Sequence, residues 1–224
     1  APIFSADGRW LYFVSDRAGG LGGDDLYRAE VMPDGAYGAP QNLGSGVNTA
    51  ADERSPTPGR DGRLLMFASR GHGGSGGDDL LVATWDGAAF ANPRPLPGIT
   101  TAADEFDGAW LGDGEAVVFA RSTPALLPRN PPKPSRASAG PAATAGPVPT
   151  RLYVAQCRDG RYGPAEPLAL SFNTADGTTL APVVDWNKPG ELLVTGSAPS
   201  PRAGGLDIYR MRAPAATGSR DCLP

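Results

Sequence analysis

The chain has 224 residues, a formal net charge of −4 at pH 7 and a hydrophobic content of 40%. This length allows one large domain or two small ones, the apolar content argues against wholesale disorder, and the acidic balance excludes a global basic field for nucleic acid. No apolar run approaches the roughly 18 residues that a membrane-spanning helix requires, so we expect no transmembrane segment.

An apolar run of strand type recurs along the chain at a period of about 50 residues, and the longer spacing before the fourth copy includes the insertion at residues 124–149. RWLYFVS is the first such run, and RLLMFAS, EAVVFAR and GELLVTGS are its later copies. An Asp-Gly pair precedes the first three runs, which is a hairpin signal because type I′ turns need positive φ. The four runs begin at Arg9, Arg63, Glu115 and Gly190.

A glycine-rich loop and a second short strand follow the first run. The loop and strand read GLGGDDLY at residues 20–27 and GSGGDDLL at residues 74–81, and the later strands read TRLYVAQC and LDIYRMR. An aromatic residue, a small residue and a proline come next in the first three repeats, followed by NTAADE, TTAADE or NTADGT. No segment shows sustained 3.6-residue periodicity, so the helix content should be very low.

A period near 50 residues with about four antiparallel strands is typical of a β-propeller blade, which buries its faces against neighbouring blades. We therefore predict an all-β fold with one β-propeller domain over residues 1–224 and four recognisable blades of three to four antiparallel strands. The predicted blades occupy approximately residues 1–53, 54–105, 106–178 and 179–224.

The first repeat reads PIFSADGRWLYFVSDRAGGLGGDDLYRAE and continues with YGAPQNLGSGVNTAADERSPT. It resembles the PD40 repeat, also called the WD40-like or TolB-like propeller repeat. The second repeat matches well, but the third has Arg151 where the other repeats have Asp25, Asp79 and Asp207. The resemblance implies protein interaction in the cell envelope, as for the translocation protein TolB with its peptidoglycan-associated lipoprotein partner, or attachment near peptidoglycan.

The closure of the ring has two open interpretations: a compact four-bladed ring, or a ring completed by a further blade outside this chain. The C-terminal sequence APAATGSRDCLP could supply a weak outer strand to the fourth blade. The two cysteines lack zinc spacing, and they are either unpaired thiols or, in an oxidising compartment, one disulfide. A bond between Cys157 and Cys222 would staple a ring that lacks a strong closure.

Residues 124–149, PALLPRNPPKPSRASAGPAATAGPVP, interrupt the third blade between its second and third strands. The abundance of proline, alanine, serine and glycine predicts a flexible insertion of polyproline type. It is either a tolerated surface loop or a basic tether for an anionic envelope polymer or for a partner with a proline-reading groove.

The acidic residues are predicted to have mainly structural roles. Asp25 and Asp79 precede apolar strands, where a carboxylate can accept N–H groups of the glycine loop. The acids at the blade crossings could pair with Arg17 or with backbone amides.

Adjacent carboxylates on a strand point to opposite faces, which is poor geometry for calcium, so we predict no metal site. The alternative calcium ligands are Asp24, Asp25, Asp78 and Asp79.

Catalysis is not predicted either, and neither is a cofactor. A serine-hydrolase triad needs a histidine base, but the single histidine, His72, lies in a glycine loop, and no Gly-x-Ser-x-Gly elbow is present.

Propellers bind ligands in a funnel at one end of the central channel, and an acidic funnel would suit a basic peptide or an amine. The candidate binding residues are Asp52, Glu53, Asp104, Glu105, Arg17 and His72.

The sequence thus predicts a non-catalytic scaffold of the bacterial cell envelope that binds a protein or peptide partner and is exported to the periplasm, with its export signal outside this chain. Peptidoglycan-associated partners fit this role, whereas nucleic acid does not. Two alternatives stay open. The chain could be a propeller accessory to an enzyme, either a peptidase gate or a unit like a polysaccharide lyase, or it could bind calcium or a small ligand.

Overall fold

The computed structural model describes residues 2–122, 149–198 and 205–224, which form sixteen β-strands and no helix. The strands form four antiparallel sheets arranged as the blades of a propeller, which confirms the predicted fold class. None of these residues belongs to a helix that could cross a membrane. The insertion predicted at residues 124–149 lies outside the described residues except for Pro149.

The first two sheets each contain four strands that neighbour one another in chain order. The first comprises β1 (Ile3–Phe4), β2 (Trp10–Ser15), β3 (Asp25–Glu30) and β4 (Gln41–Asn42), and the second comprises β5 (Glu53–Pro58), β6 (Leu64–Ser69), β7 (Asp79–Trp85) and β8 (Phe90–Pro95).

The third sheet has two short outer strands, whereas no described residue forms an outer strand in the fourth sheet. In the third sheet, two short strands both pair with the long third strand, whereas the fourth sheet ends at its third strand. The third sheet comprises β9 (Asp104–Leu111), β10 (Ala116–Ser122), β11 (Thr150–Arg158), β12 (Arg161–Tyr162) and β13 (Glu166–Pro167), and the fourth comprises β14 (Thr179–Val184), β15 (Glu191–Gly196) and β16 (Asp207–Arg212).

Each inner strand runs from a crossing end, where one blade connects to the next, to a turn end that leads to the second strand, and in the first three blades this turn contains an Asp-Gly pair. Strand β5, for example, begins at Glu53 at the crossing end and stops at Pro58, just before the Asp61-Gly62 turn. The turn glycines have positive φ, with values of 70° at Gly8, 72° at Gly62 and 100° at Gly114. Glycine is needed there because other residues rarely adopt this conformation.

The inner strands of three blades are bulged at equivalent positions and joined there by one carboxylate. Ser55, Asp107 and Ala181 have φ values of 51°, 49° and 49°, at register shifts in β5, β9 and β14. The Asp107 carboxylate accepts two hydrogen bonds, one from the Ser55 hydroxyl, with an O–O distance of 2.5 Å, and one from the Ala181 backbone N–H, with an N–O distance of 3.1 Å. A β-bulge re-aims a side chain, and here it brings three consecutive blades together.

The hydrophobic core consists of three clusters, one between each consecutive pair of blades. No cluster of described residues joins the first sheet to the fourth, so the outward faces of these two sheets lack a shared core. The clusters include Tyr12, Leu26 and Phe67 between blades one and two, Met66, Trp110 and Phe119 between blades two and three, and Val118, Leu192 and Val194 between blades three and four.

The segment after β16 does not form the outer strand that the sequence suggested for the fourth blade. It returns to the third blade, where the Gln156 side chain binds Ala215 O and Thr217 N, each at 2.9 Å. Cys222 forms a disulfide with Cys157, with a Cα–Cα distance of 5.9 Å, and both residues lie in the core between blades two and three. Hydrogen bonds to Gln156 and the disulfide thus hold the C-terminal segment on blade three.

We expect that replacing Cys157 and Cys222 with alanine lowers the free energy of unfolding by about 4 kcal/mol, because the bond constrains the unfolded chain across a sequence separation of 65 residues. For a protein of this size, the thermal midpoint falls by about 10 °C. Urea and thermal unfolding by circular dichroism measure both quantities. Alkylation of both thiols in the native protein without prior reduction would contradict the bond.

Candidate functional site

The second aspartate of each glycine loop is buried against its own loop. The Asp25 carboxylate accepts the N–H of Leu21 at 2.6 Å and of Gly22 at 3.3 Å, and the Asn42 amide donates to it at 3.1 Å. A Cβ atom added to Gly20 would collide with this carboxylate, and one added to Gly74 would collide with that of Asp79. The glycines are therefore required by close approach of the loop to a buried acid.

Each glycine loop of blades one and two ends in two adjacent aspartates, and the first of them forms an ion pair with an arginine. The ion pair is buried in blade two and exposed in blade one. Asp78 receives two hydrogen bonds from Arg70, at 2.7 and 2.9 Å, and the two side chains are only 2% and 1% exposed. Asp24 lies 3.5 Å from the Arg54 guanidinium, and both side chains are about one-third exposed. The same sequence position thus holds a buried ion pair in blade two and a solvated one in blade one.

The crossing aspartates hold the loop of the preceding blade. Asp52 accepts the N–H of Asp24 at 3.0 Å, and Asp104 accepts the N–H of Asp78 at 2.9 Å. Arg54, rather than Arg17, pairs with Asp52, at 2.9 Å. Each of these carboxylates therefore contributes to the contact between two blades.

The crossing glutamates are buried and fix the segment that joins two blades. Glu53 accepts the backbone N–H and the hydroxyl of Thr49, both at 2.7 Å, and the Ser69 hydroxyl at 2.8 Å. Glu105 accepts the corresponding groups of Thr101 and the Arg121 guanidinium, the latter at 2.8 Å. Burial raises the pKa of both carboxyls above the ordinary value, while these hydrogen bonds act in the opposite direction.

Arg17 and His72 contact neighbouring rings and backbone instead of the crossing acids. The Arg17 guanidinium lies 5.3 Å from the Phe13 ring centre and 4.8 Å from that of Tyr27. His72 Nε2 forms a 2.7 Å hydrogen bond with Val47 O. Both residues thus stabilise the fold locally.

Three of the four acids predicted to line a binding funnel lie inside the structure at the crossing end. Glu53, Asp104 and Glu105 have no solvent exposure, because each binds loop amides or hydroxyls inside the structure. Among the described residues, the one cluster with metal-ligating geometry is Cys157, Asp221 and Cys222, in which the two sulfurs form the disulfide.

A cavity of about 510 Å³ lies at the opposite, turn end, between blades two and three and the C-terminal segment. Leu64, Trp110 and Leu223 contribute its apolar lining. Arg220 forms ion pairs with Asp113 at 3.0 Å and with Glu115 at 2.6 Å at the rim. Arg60, also in the lining, is exposed and takes part in no described ion pair.

The sequence reasoning missed this cavity because its residues come from three distant segments. The turns at residues 59–64 and 110–113 are brought side by side by blade packing, and the disulfide places residues 220–224 over them. The available signal was the pair of equivalent Asp-Gly turns together with a cysteine close to the last residues.

No family model and no curated protein matches the chain, whereas solved structures share its fold. TolB from Acinetobacter baumannii is 11% identical with a TM-score of 0.55, and the match covers 98% of this chain and 41% of TolB. The architecture is a propeller like that of TolB. An endo-arabinase from Bacteroides thetaiotaomicron is 13% identical with a TM-score of 0.54, covering 97% and 76% of the two chains.

A puromycin-hydrolysing peptidase from Mycobacterium tuberculosis is 17% identical with a TM-score of 0.50, and the match covers 98% of this chain and 30% of the peptidase. The chain thus spans about two fifths of TolB and a smaller share of the peptidase. At these identities the likeness establishes the fold.

We expect Asp78→Asn to lower the free energy of unfolding by about 3 kcal/mol or more, because it leaves the buried Arg70 charge without its partner. Asp24→Asn is the matched change at the equivalent position, and its cost should stay below about 1 kcal/mol because that ion pair is solvated. Urea unfolding of both variants tests the difference. Equal losses would contradict the assigned difference in burial.

Glu53 should make stability depend on pH. Because its pKa is raised in the folded state, the folded protein keeps a proton that the unfolded chain releases above its ordinary pKa of 4.5. The free energy of unfolding therefore decreases between pH 4.5 and the raised pKa. Glu53→Gln lacks this contribution, so its stability relative to wild type should increase over this range in urea titrations. Glu30→Gln, at an exposed strand end, is the control, and parallel profiles for wild type and Glu53→Gln would refute the effect.

Proposed function

We propose that this chain is a non-catalytic binding module of the PD40, TolB-like class, which acts in the bacterial cell envelope and holds a protein or peptide partner at its turn-end cavity. The observation that carries the proposal is the cavity of about 510 Å³ with an apolar lining and an ion-paired rim. Ligand sites commonly combine an apolar wall with a few convergent polar groups.

The chemistry of the lining favours a partner with an apolar side chain next to a carboxylate. The apolar side chain would fit against Leu64, Trp110 and Leu223, where burial of apolar surface stabilises the complex. Arg60 is the rim cation with no described ion pair, and its guanidinium can bind a carboxylate through two parallel hydrogen bonds.

The disulfide supports the envelope as the working compartment. Cys157 and Cys222 are joined and buried, and disulfides persist in oxidising compartments such as the bacterial periplasm. Because the bonded segment supplies Arg220, Leu223 and Pro224 to the lining, the cavity depends on the oxidised form. Peptidoglycan-associated proteins are therefore suitable partners to test first.

The non-catalytic part of the proposal is supported by the position of the single histidine. A hydrolytic triad needs a histidine within hydrogen-bond reach of a nucleophile. His72 is held against Val47 O at the crossing end, whereas the cavity lies at the turn end of the blades.

Affinity capture from detergent-solubilised envelope extract tests the proposed site. We expect Arg60→Glu to weaken retention of the partner by about tenfold, because it reverses the rim charge that binds the carboxylate. Arg9→Glu makes the same charge change near the turn end of blade one, outside the cavity, and should retain the partner fully.

Equal retention by wild type and Arg60→Glu would reject the cavity as the binding site. A large rise in thermal midpoint with calcium would instead support the calcium-binding alternative, because a ligand that binds only the native state raises stability.

A further inference from the structure

In the first three blades, an outer strand brings a leucine into the core. Strands β4, β8 and β13 run antiparallel to the third strand of their blade, and the residue after each is a leucine. This leucine donates its N–H to the carbonyl of a leucine in the third strand and is at most 8% exposed. The bonds are Leu43 N to Leu26 O at 3.0 Å, Leu96 N to Leu80 O at 2.9 Å and Leu168 N to Leu152 O at 2.8 Å.

The fourth blade has the receiving position but no described segment that fills it. Ile208 is the second residue of β16, as Leu26 is of β3, and it pairs with Thr195 as Leu26 pairs with Val14. Leu26, Leu80 and Leu152 have no solvent exposure, whereas Ile208 is 74% exposed. The position that holds a buried leucine in the first three blades thus holds a solvent-exposed isoleucine in the fourth.

The backbone N–H and carbonyl of Ile208 are directed toward the open side of β16, away from β15. In blade one, both the N–H and the carbonyl of Leu26 bind groups outside the sheet pair, namely Asn48 and Leu43. Because the register is the same, the N–H and carbonyl of Ile208 face outward from β16. An exposed strand edge with unpaired backbone groups is a template for another strand.

The face beside this edge is apolar near Ile208 and basic farther along β16. Alternate residues of the strand are exposed, namely Ile208, Arg210 and Arg212. Val183 lies on the same face of the sheet as Arg210, because both residues are register partners of Leu193. The Val183 side chain is 37% exposed. Arg210 also forms an ion pair with Glu191, and both side chains are partly exposed. A segment that adds to this edge therefore meets an apolar patch and then two arginines, of which Arg210 already has a carboxylate partner.

The three internal outer strands define the chemistry of the segment that fits. They read Gln-Asn-Leu, Arg-Pro-Leu and Glu-Pro-Leu, at residues 41–43, 94–96 and 166–168. In blade one, Arg28 donates to Gln41 at 3.1 Å, and Arg210 occupies the place of Arg28 in blade four. An acidic residue opposite Arg210 would complement its charge more strongly than glutamine does.

We propose that the outer edge of β16 binds an extended segment of a partner protein, with the pattern acidic residue, proline or asparagine, leucine. The segment lies antiparallel to β16, its leucine packs on Ile208, and its carboxylate binds the Arg210 guanidinium beside Glu191. This surface shares no residue with the turn-end cavity, so it is a second interface of the same scaffold.

The probe is a fluorescently labelled peptide of residues 163–170 of this chain, GPAEPLAL, whose own copy fills the equivalent place in blade three. We expect saturable anisotropy with a Kd of about 100 μM or tighter. Ile208→Asp in the protein, or Leu168→Asp in the peptide, should weaken binding by at least about tenfold. Because Ile208 is exposed, Ile208→Asp should keep the thermal midpoint of the wild type.

A charge exchange identifies the site and the strand direction. Arg210→Glu should weaken the peptide, and the peptide variant Glu166→Lys should restore binding to that protein variant. Arg60→Glu should leave peptide binding unchanged, which separates this interface from the cavity. The absence of saturation up to about 1 mM peptide, or equal binding to Ile208→Asp, would overturn the proposal. A dimer of the protein alone that Ile208→Asp converts to monomer would also overturn it, in favour of a second copy on this edge.

Discussion

The hydrogen bonds between carboxylates at the crossing ends and loop N–H groups are the interaction on which the packing of the first three blades depends. Asp52 and Asp104 hold the loop of the preceding blade, and Glu53 and Glu105 hold the crossing segment. A buried carboxylate is costly unless its oxygens are satisfied, so the loop must follow one path around each acid. That requirement sets the spacing between blades and explains the concentration of glycine in the loops.

Blade packing then creates the surfaces on which we place function. The cavity exists because two hairpin turns from neighbouring blades meet and because the disulfide brings the C-terminal segment across them. The exposed edge exists because the fourth blade repeats the pattern of the others up to its third strand, and the segment that follows turns to blade three instead of pairing with β16. Both surfaces are consequences of where that one segment goes.

Much of the fold could be predicted from the sequence, and less of the candidate site. The repeated Asp-Gly turns and apolar runs predict the all-β propeller because hairpin signals and strand periodicity are local properties. Exposure is not local. Asp24 and Asp78 occupy the same place in the repeat, yet one is solvated and the other buried, because their arginine partners come from different segments. For the same reason, Glu53 and Glu105 were binding candidates in the sequence, but they have no solvent exposure in the structure.

By itself, the sequence determined the strand order within each blade, the positions that require glycine and the number of recognisable blades, since each follows from a repeated local pattern. Only the tertiary structure decided which acids are buried, where the cavity forms and which strand edge stays open. Those features depend on the distances between segments far apart in the chain, and a repeat that looks the same in sequence can meet different neighbours. Ile208 shows this, because the position that is buried as leucine in three blades is open to solvent in the fourth.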